Sequence, residues 1–583
     1  MCGIAGISMR SRVPMPEGVL DRLSRQLTHR GPDSDGVYRH GNTGIVHRRL
    51  SIIDLEGGQQ PIGDAERQVH IIVNGEIYNY LDLRRQLEAE GTTFSSASDS
   101  EIPLHLYKKY GLECVRYLKG MYALALYDSR TNDLILARDP VGIKPLYMCQ
   151  TEDGIAFASE PAAITRSGWH KAGLNMDALP CYINRQFVAG RETLFQGIER
   201  VLPGEVLRIR DGVIIERMHF PPALHTAGHM GEEEATEAFD DVFARAVKTH
   251  LQSEVPYGTF LSGGIDSSAV VSRMAELAGS VRTYTVGFES LCSSDERSQA
   301  EHLAEALGTQ HKTVEFTEAD FWHYLPDFCR VMDDLAADYN AIPTLKLAEH
   351  AKGEVKIILS GEGGDEIFAG YGRYRRPNWI QRLLGYSFRG RGDAVRFGHL
   401  FREPKRFARY YKTEAKDNTY RAHGFSHLQT CQARDIAEWL PNNLLLRLDR
   451  CLMANSIEGR VPLLDYDMLM FAFALPDHLK LRGRQGKWLL KHWLGARHPD
   501  LQVWAPKRGF AIPLHEWLEK KREKLIPYIL EHPLLATLLV PEKTRAWLNQ
   551  PLDAKGAKLL CNFLCLALWH DIHIAGKPAE IPL

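Results

Sequence analysis

The pattern of strands and helices changes near residue 235, and this change limits the folds that the 583-residue chain can adopt. Residues 1 to about 210 consist of short alternating or apolar runs separated by Gly, Asn and Asp, such as "HIIVNGEIYN" and "GMYALALYDSRTNDLILARD". Such runs predict antiparallel strands joined by tight turns. Helical stretches such as "NYLDLRRQLEAEG" lie between them. This half therefore predicts an α+β layered domain.

From about residue 235, strands and helices alternate: "YGTFLSGG" is followed by "DSSAVVSRMAELAG" and then by "VRTYTVGF". This alternation predicts an α/β domain with a mainly parallel sheet that is covered on both faces. After about residue 370 the helical patterns predict a helical C-terminal region. The segment "FPPALHTAGHM" is typical of a linker, so we expect domains at residues 1–215 and 235–583.

Composition argues against several classes of protein. The formal net charge of −2 argues against nucleic acid as a partner. No apolar run approaches the roughly 20 residues that a membrane span requires. The most apolar stretch, "LLCNFLCLALW", predicts a buried terminal helix in which Cys561 and Cys565 pack. Ten cysteines without paired spacing, and a start without a signal-peptide pattern, predict reduced thiols and a cytoplasmic location.

A cysteine occupies the second position of the chain, in "MCGIAGI". Removal of Met1 would place the Cys2 thiol and a free α-amine on the same residue, as in enzymes with an N-terminal Ser, Thr or Cys nucleophile. The alternative is a buried strand that contains an inert cysteine. These seven residues alone leave both readings open.

Two glycine-rich turns follow predicted strands of the second half, in "FLSGGIDSS" and "IILSGEGGDEIFAGY". Turns between a strand and a helix bind anions through backbone N–H groups and the helix dipole. The first turn lacks the lysine of a G-x-x-x-x-G-K-S/T loop and is not a G-x-G-x-x-G dinucleotide motif. Because strand carboxyl ends face one crevice in an open α/β sheet, we expect both turns at one site. Asp266 and Asp365 are then candidate Mg²⁺ ligands beside a polyphosphate.

Several motifs together resemble one known family. "SGGIDSS" is similar to the PP-loop of the ATP pyrophosphatases, whose fold is adenine nucleotide α-hydrolase-like. "MCGIAGI", "RGPDSDG", "HRRLSIID", "VNGEIYNY" and "SDSEI" are similar to class II glutamine amidotransferases, which have the N-terminal-nucleophile hydrolase fold. With "SGEGGDEIFAGY", "DRCLMANSIEGRVPLLD" and "PKRGFAIPLHEWL" in the same order, nearly the whole chain resembles the glutamine-hydrolysing asparagine synthetases. The resemblance favours a catalytic Cys2 over an inert one.

The resemblance implies that the first domain hydrolyses glutamine. Cys2 matches the nucleophile that attacks the side-chain amide. Asn74 and Gly75 match the oxyanion donors, one through a side-chain amide and one through a backbone N–H, as a tetrahedral intermediate requires.

Glutamine would be bound through its two charged ends. Arg49 matches the arginine that pairs with the α-carboxylate, for which a bidentate guanidinium is suited. Glu76 and Asp99 match the acids that hold the α-ammonium group. The implied glutamine-binding residues are Arg49, Leu50, Ser51, Ile52, Ile53, Asn74, Gly75, Glu76 and Asp99.

The resemblance also implies an ATP site in the second domain. Glu362 matches a carboxylate that is needed when the acceptor acid becomes an acyl-adenylate. Lys487 matches a lysine that stabilises charge on the α-phosphate, and Lys491, one helical turn further on, stays an alternative. The implied ATP-binding residues are Leu261, Ser262, Gly263, Gly264, Asp266, Ser267, Ser268, Val286, Ser360 and Gly361.

The implied reaction joins the two sites. The first releases ammonia from glutamine through a Cys2 thioester, and the second activates a carboxylate with ATP and Mg²⁺ so that ammonia displaces AMP. A dry internal passage between the sites would keep ammonia unprotonated. We therefore expect ATP and Mg²⁺ as cofactors and only small molecules (glutamine, ATP and a carboxylate acceptor) as substrates. We expect no nucleic acid and no membrane as partners, and we leave a homodimer open.

The resemblance leaves the acceptor open. Aspartate is the expected acceptor, but relatives amidate other carboxylates, such as secondary-metabolite, cell-wall or polysaccharide precursors, or close a β-lactam ring. Cys2 argues against the β-lactam-forming relatives, which lack a working N-terminal cysteine. The basic segment "RLLGYSFRGRGDAVRFGHLFREPKRFARYYK" is a place for a different acceptor pocket, although a solvated surface is favoured there. A glutamine- and nucleotide-binding regulator without turnover is the alternative from another class.

Overall fold

The computed structural model describes residues 2–288, 297–375, 396–415, 424–505 and 512–581. Up to residue 220 the strands are β1 (Gly3–Met9), β2 (Ser34–His40), β3 (Thr43–Arg49), β4 (Ile62–Gly63), β5 (Val69–Ile77), β6 (Gly120–Asp128), β7 (Asp133–Arg138), β8 (Tyr147–Gln150), β9 (Gly154–Ala158), β10 (Ile198–Arg200), β11 (Glu205–Arg210) and β12 (Val213–His219). The α-helices of this part are α1 (Val19–Gln26), α2 (Tyr80–Ala89), α3 (Ile102–Tyr110), α4 (Pro161–Arg166) and α5 (Leu179–Arg185). The strands form two antiparallel sheets, in the orders β10-β8-β9-β1-β3-β2 and β12-β11-β7-β6-β5-β4.

The two antiparallel sheets share one apolar core. Ile4 and Ile45 of the first sheet lie in the same buried cluster as Ile72 and Ala123 of the second. Every residue of β1 is buried, which explains why this strand reads as a continuous apolar run and not as an alternating one. A second apolar cluster packs α2 and α3 against the strands β5 and β6. The predicted α+β layered domain is confirmed.

The second half is built on a parallel sheet in the order β15-β14-β13-β16-β17. Its strands are β13 (Tyr257–Phe260), β14 (Arg282–Phe288), β15 (Gln310–Phe316), β16 (Ile357–Leu359) and β17 (Glu458–Arg460). The helices between them include α6 (Glu232–His250), α7 (Ile265–Ala278), α8 (Arg297–Ala306), α9 (Glu318–Val331), α10 (Ile342–Ala351) and α11 (Gly364–Ile367). The strand order reverses between β13 and β16, and the two glycine-rich turns follow these two strands, so both lie at the crevice where such sheets bind ligands.

The rest of the described chain is largely helical, as predicted. Its α-helices are α12 (Pro404–Ala415), α13 (His427–Arg434), α14 (Leu445–Met453), α15 (Tyr466–Ala474), α16 (Asp477–Lys480), α17 (Trp488–Arg497), α18 (Leu514–Glu531), α19 (Pro533–Leu538), α20 (Pro541–Leu548) and α21 (Ala554–His573). A π-helix (Asp435–Leu444) precedes α14, and a short hairpin joins β18 (Leu481–Arg482) to β19 (Gln485–Gly486). Cys561 and Cys565 are buried in α21, as predicted. Among the described helices, none combines the length and the apolar character needed to cross a membrane.

The basic segment, residues 382–412, lies only partly within the described residues, because its residues 382–395 are outside them. Two arginines of the described part form ion pairs at the surface, Arg396 with Asp553 (2.6 Å) and Arg406 with Asp177 (2.8 Å). These contacts are consistent with the favoured interpretation of a solvated surface, which stays a prediction for the whole segment.

A buried ion pair connects the antiparallel half to the helical part. The Arg30 guanidinium donates to both carboxylate oxygens of Asp449, at 2.8 and 3.0 Å, and to Glu160 at 2.9 Å. Its Nε donates to the carbonyl oxygen of Cys2 at 3.1 Å. Although burial alone would raise the pKa of Asp449, the Arg30 charge outweighs it and lowers this pKa. The backbone at the start of β1 is thus held by a residue that is itself anchored to α14.

We predict that Asp449→Ala lowers the free energy of unfolding by about 3–5 kcal/mol, because it removes the bidentate partner of the fully buried Arg30. The control is Asp467→Ala, which breaks the exposed Lys119–Asp467 pair (2.7 Å) between the same two parts of the chain and should cost about 0–1 kcal/mol. Urea unfolding, followed by tryptophan fluorescence, measures both changes. Equal effects of the two substitutions would contradict a structural role for Arg30.

Candidate active site

The predicted nucleophile and the predicted oxyanion donor are in direct contact. Cys2 lies just before β1, is 8% exposed, and its backbone N–H donates to Asn74 Oδ1 on β5 at 3.0 Å. The thiol points towards the carbonyl oxygen of Leu50 at 4.0 Å. Asn74 Nδ2 is buried and has no hydrogen-bond partner among the described residues. Because a buried donor of this kind is costly, it is a natural site for a substrate oxygen.

Gly75 follows Asn74 on β5 and cannot be replaced without strain. Its φ of 151° lies in a region that L side chains rarely adopt, and a Cβ at this position would lie 1.9 Å from the carbonyl oxygen of Met121. The close approach of β5 to β6 therefore requires a glycine beside the predicted oxyanion donor.

Arg49 is buried next to this pair, and its guanidinium group already makes hydrogen bonds within the protein. Its guanidinium donates to the carbonyl oxygens of Ile53 (3.2 Å), Asp54 (2.6 Å) and Leu55 (3.1 Å). It therefore holds the loop that contains the other predicted binding residues. Burial raises the pKa of the Cys2 thiol, and the Arg49 charge opposes this rise.

The loop of residues 50–53 lies between the two halves of the molecule. The Ser51 N–H donates to Asp33 Oδ2 at 2.8 Å, within the first half. The carbonyl oxygen of Ile52 accepts from the N–H of Glu254, which precedes β13, at 3.1 Å. The predicted glutamine-binding loop is thus fixed from both sides.

The predicted ammonium-binding acids lie in a cluster with excess negative charge. Asp99 Oδ2 accepts from the Ile77 N–H at 2.7 Å, and burial raises the pKa of Asp99 to about 6. Burial also raises the pKa of Glu76, although the Arg460 guanidinium, 3.1 Å from its Oε1, opposes this. A third buried carboxylate, Glu458, also pairs with Arg460 at 2.5 Å. Arg460 pairs directly with two of these three buried carboxylates, so a bound ammonium group would add compensating charge there.

Glu458 and Arg460 are residues that the sequence reasoning missed. They belong to β17 of the parallel sheet, yet Arg460 contacts Glu76 in the antiparallel half. The carbonyl oxygen of the same Arg460 accepts from the N–H of Ser360, in the second glycine-rich turn, at 2.8 Å. One three-residue strand therefore contacts both candidate sites. The signal in the sequence was the charged pair in "SIEGRVPLLD", an unusual composition for a buried strand.

The first glycine-rich turn leads into α7, and serine hydroxyl groups lie close together at the start of this helix. The Ser262 and Ser267 hydroxyls are 3.0 Å apart, and the Gly264 N–H donates to Ser262 Oγ at 3.3 Å. A Cβ at Gly361 would lie 2.7 Å from the Ser267 nitrogen, so the two glycine-rich turns are in contact. Of the other predicted residues, Leu261 and Gly263 precede α7, Asp266 and Ser268 lie in its first turn, and Val286 lies in β14.

Lys487, and not Lys491, reaches this contact. The Lys487 ammonium group forms ion pairs with Asp266 and, at 2.7 Å, with Asp365. Burial would lower the pKa of Lys487, but these two carboxylates outweigh it and raise this pKa. Lys491 instead donates to Gln485 at 3.0 Å. The structure thus separates two lysines between which the sequence left the choice open.

Asp266 and Asp365 fit a Mg²⁺ ion, because both carboxylates already reach one cationic group. Mg²⁺ is commonly held by one or two carboxylates together with phosphate oxygens and water. The hydroxyls and N–H groups at the start of α7 fit the phosphates.

Glu362 lies in the second turn, beside these groups. Its N–H donates to Ser360 Oγ at 3.4 Å. Burial raises the pKa of Glu362, the Arg447 charge lowers it, and Asp365 raises it further. Arg447 of α14, which also pairs with Asp338 at 2.7 Å, is a second cation that sequence reasoning missed at this site.

Comparisons with known proteins agree with this division of the chain. Residues 1–220 match the family described as a glutamine amidotransferase domain, and residues 238–571 match the family described as asparagine synthase. Asparagine synthetase (glutamine-hydrolyzing) 1 of Bacillus subtilis is 32% identical over 100% of this chain and 98% of its own length. Asparagine synthetase (glutamine-hydrolyzing) 3 of the same organism is 28% identical over 98% and 99%. Amidase chyE of Penicillium rubens is 34% identical over 80% of both chains.

The first match, with the two antiparallel sheets, confirms the predicted N-terminal-nucleophile hydrolase architecture. The second match, with the parallel sheet, confirms the predicted α/β fold of the second half.

Proposed function

The chain belongs to the family of glutamine-hydrolysing asparagine synthetases, and we propose that it amidates aspartate with ammonia from glutamine, through an acyl-adenylate, with release of AMP and pyrophosphate. We assign glutamine hydrolysis to residues 1–215 and the synthetase reaction to residues 235–583. The observation that carries the proposal is the placement of Arg460, whose side chain contacts the glutamine pocket and whose carbonyl oxygen holds the ATP turn. If the two sites had unrelated functions, they would not need to share one strand.

In the proposed glutaminase reaction, the Cys2 thiol attacks the amide carbon after Met1 has been removed. The Cys2 nitrogen, held by Asn74 Oδ1, becomes the α-amine that accepts the thiol proton. The unpartnered Asn74 Nδ2, together with the Gly75 N–H, stabilises the oxyanion. The geometry supports this assignment because one side chain orients the base and also supplies the donor.

Glutamine binding in this proposal uses both charged ends of the substrate. The α-carboxylate replaces part of the carbonyl contacts that Arg49 makes with residues 53–55. The α-ammonium enters the acid cluster of Glu76 and Asp99. Because burial raises the pKa of Asp99 to about 6, this carboxylate is ionised above pH 6, and glutamine binding should weaken as the pH falls below it.

In the proposed synthetase reaction, the phosphates of ATP lie against the start of α7. Asp266 and Asp365 would hold Mg²⁺, which would supply positive charge to the phosphates. Lys487 then moves its ammonium group from the two carboxylates to the α-phosphate. Glu362 accepts or relays a proton as the acceptor carboxylate is activated and ammonia attacks, a role that its raised pKa supports.

Three further assignments belong to the proposal. All nine cysteines of the described residues are buried and none forms a disulfide, which supports a reducing, cytoplasmic location. We propose that no nucleic acid or membrane takes part. A homodimer stays an untested expectation.

The acceptor is tested by a screen. The name of amidase chyE shows that not every relative at this level of identity is called an asparagine synthetase. Each candidate carboxylate is incubated with the enzyme, ATP, Mg²⁺ and glutamine, and both pyrophosphate and the mass of the product are measured. We expect the highest kcat/KM with aspartate. A higher value with another carboxylate would assign the chain to that acceptor, and no acceptor-dependent pyrophosphate with any carboxylate would favour the regulator without turnover.

We predict that Cys2→Ala abolishes glutamine-dependent amidation but preserves amidation with added ammonium salts, because the thiol serves only glutamine hydrolysis. Cys149→Ala, in β8 of the same sheet, is the control and should keep both activities. Intact-mass analysis of the parent protein should show that Met1 is absent. Parallel loss of both activities in a folded Cys2→Ala protein would contradict the two-site assignment.

We predict that Lys487→Met lowers acceptor-dependent ATP–pyrophosphate exchange by about 100-fold or more, because it removes a charged contact that acts on the developing phosphate charge. Glutaminase activity should persist. Lys491→Met is the matched control and should retain exchange within a few-fold, because Lys491 contacts Gln485 and not the two aspartates. The reverse order of the two effects would move the active-site role to Lys491.

A further inference from the structure

Three metal-binding side chains meet near the C-terminal end of the described chain, far in sequence from both candidate sites. His532 follows the last residue of α18, and His570 and Asp571 lie in the last turns of α21. One ligand atom from each of the three lies within 4.8 Å of the other two. The His532 Nε2 atom is 3.3 Å from Asp571 Oδ2, and the His570 Nδ1 atom is 3.9 Å from Asp571 Oδ1.

Several buried polar atoms near this cluster make no hydrogen bond of good geometry within the described part of the chain. The His532 side chain is 2% exposed, and neither of its ring nitrogens makes a hydrogen bond of good geometry within the described part of the chain. The same holds there for His570 Nδ1 and for the hydroxyl of Tyr528, whose ring centroid is 5.8 Å from that of His532. Because buried polar atoms in native proteins are nearly always satisfied, the nitrogens of His532 and His570 that face Asp571 point to a group bound between these three side chains.

The two imidazoles and the carboxylate indicate which kind of metal ion this cluster would bind. Two imidazoles and one carboxylate are the ligands of three-ligand zinc sites, in which water takes the fourth position. Mg²⁺ and Ca²⁺ prefer oxygen ligands and would leave the imidazoles unused. Zn–N and Zn–O bonds of about 2.0–2.2 Å place tetrahedral ligand atoms roughly 3.4 Å apart. The observed separations of 3.3 and 3.9 Å therefore need only small side-chain shifts.

The surroundings are suited to a bound ion. His570 and Asp571 are 18% and 17% exposed, so the ion can enter from their side, while His532 closes the other side. The backbone of α21 is fixed here, because the Lys577 N–H donates to the carbonyl oxygen of Asp571 at 2.8 Å. Trp569, the residue before His570, donates its indole N–H to the carbonyl oxygen of Asp333 at 2.6 Å.

We propose that His532, His570 and Asp571 bind a transition-metal dication of the zinc class, with water as the fourth ligand. The ion joins the end of α18 to the last turns of α21 and acts as a structural clip. Asp333, which α21 contacts through Trp569, also pairs with Arg450 at 2.9 Å. Arg450 in turn lies 3.2 Å from Asp449, the partner of Arg30, so this end of α21 contacts the network of buried charges that connects the two halves of the molecule.

The site is tested on full-length protein that has been stripped of metal with a chelator and dialysed into buffer with millimolar Mg²⁺. A Cys2→Ala background removes the N-terminal thiol as a competing zinc ligand. Zn²⁺ binding is measured by calorimetry, and the visible absorption of bound Co²⁺ reports its coordination. We expect one equivalent of Zn²⁺ per chain and the strong absorption of four-coordinate Co²⁺. We also expect Zn²⁺, but not further Mg²⁺, to raise the Tm.

The variants are His532→Ala, His570→Ala and the nearly isosteric Asp571→Asn. Each should weaken Zn²⁺ binding by about 100-fold or more, since even the loss of an outer-shell partner costs 10- to 100-fold. His573→Gln is the matched control, because His573 lies in the same helix end but contacts the carbonyl oxygen of Cys329 at 3.1 Å. It should bind Zn²⁺ like the parent and show the same rise in Tm. The proposal is overturned if the parent binds no Zn²⁺, or if Asp571→Asn and His573→Gln bind it equally well.

Discussion

The buried ion pair of Arg30 with Asp449 is the interaction that ties the candidate nucleophile to the second half of the chain. The Arg30 guanidinium holds the carbonyl oxygen of Cys2 and forms a bidentate pair with Asp449 of α14. Such a pair is costly to desolvate and stabilises only when all its hydrogen bonds are made, so its main effect is to select one arrangement of the two halves. The position of the nucleophile is therefore set both by contacts within the first half, such as that with Asn74, and by contacts that exist only when both halves are folded together.

The same dependence appears in the pocket that we assign to glutamine. Its acids, Glu76 and Asp99, belong to the antiparallel half, but the cation that keeps them from mutual repulsion is Arg460 of the parallel sheet. Because the carbonyl oxygen of Arg460 also holds Ser360, a shift of β17 would disturb both pockets at once. We infer that the second half completes the glutamine pocket and does not merely accept ammonia from it.

The sequence predicted the architecture and most local placements, because periodicity and glycine-rich turns are local signals. β13, α7 and β16 lie where "FLSGGIDSS" and "IILSGEGGDE" require, and Asp266 and Asp365 meet as expected.

The residues that join distant segments were not predictable in this way. The contacts of Arg30 with Asp449 and of Arg460 with Glu76 depend on how two folded halves dock, which no spacing within one segment reports. The sequence could not decide between Lys487 and Lys491 either. In the structure, Lys487 has a left-handed backbone, with φ of 57°, at the start of α17, and the sequence does not show this feature. The start of "PKRGFAIPLHEWL", residues 506–511, lies outside the described residues.

The central claim is that two sites in one chain pass ammonia internally. It is tested most directly by isotope transfer. The enzyme receives glutamine labelled with ¹⁵N in the side-chain amide, aspartate, ATP, Mg²⁺ and unlabelled ammonium at a concentration below that which supports measurable synthesis. The ¹⁵N content of the amide product is then measured by mass spectrometry. The account predicts that the product carries the ¹⁵N content of the glutamine amide, whereas a content that falls in proportion to the unlabelled ammonium in solution would contradict it.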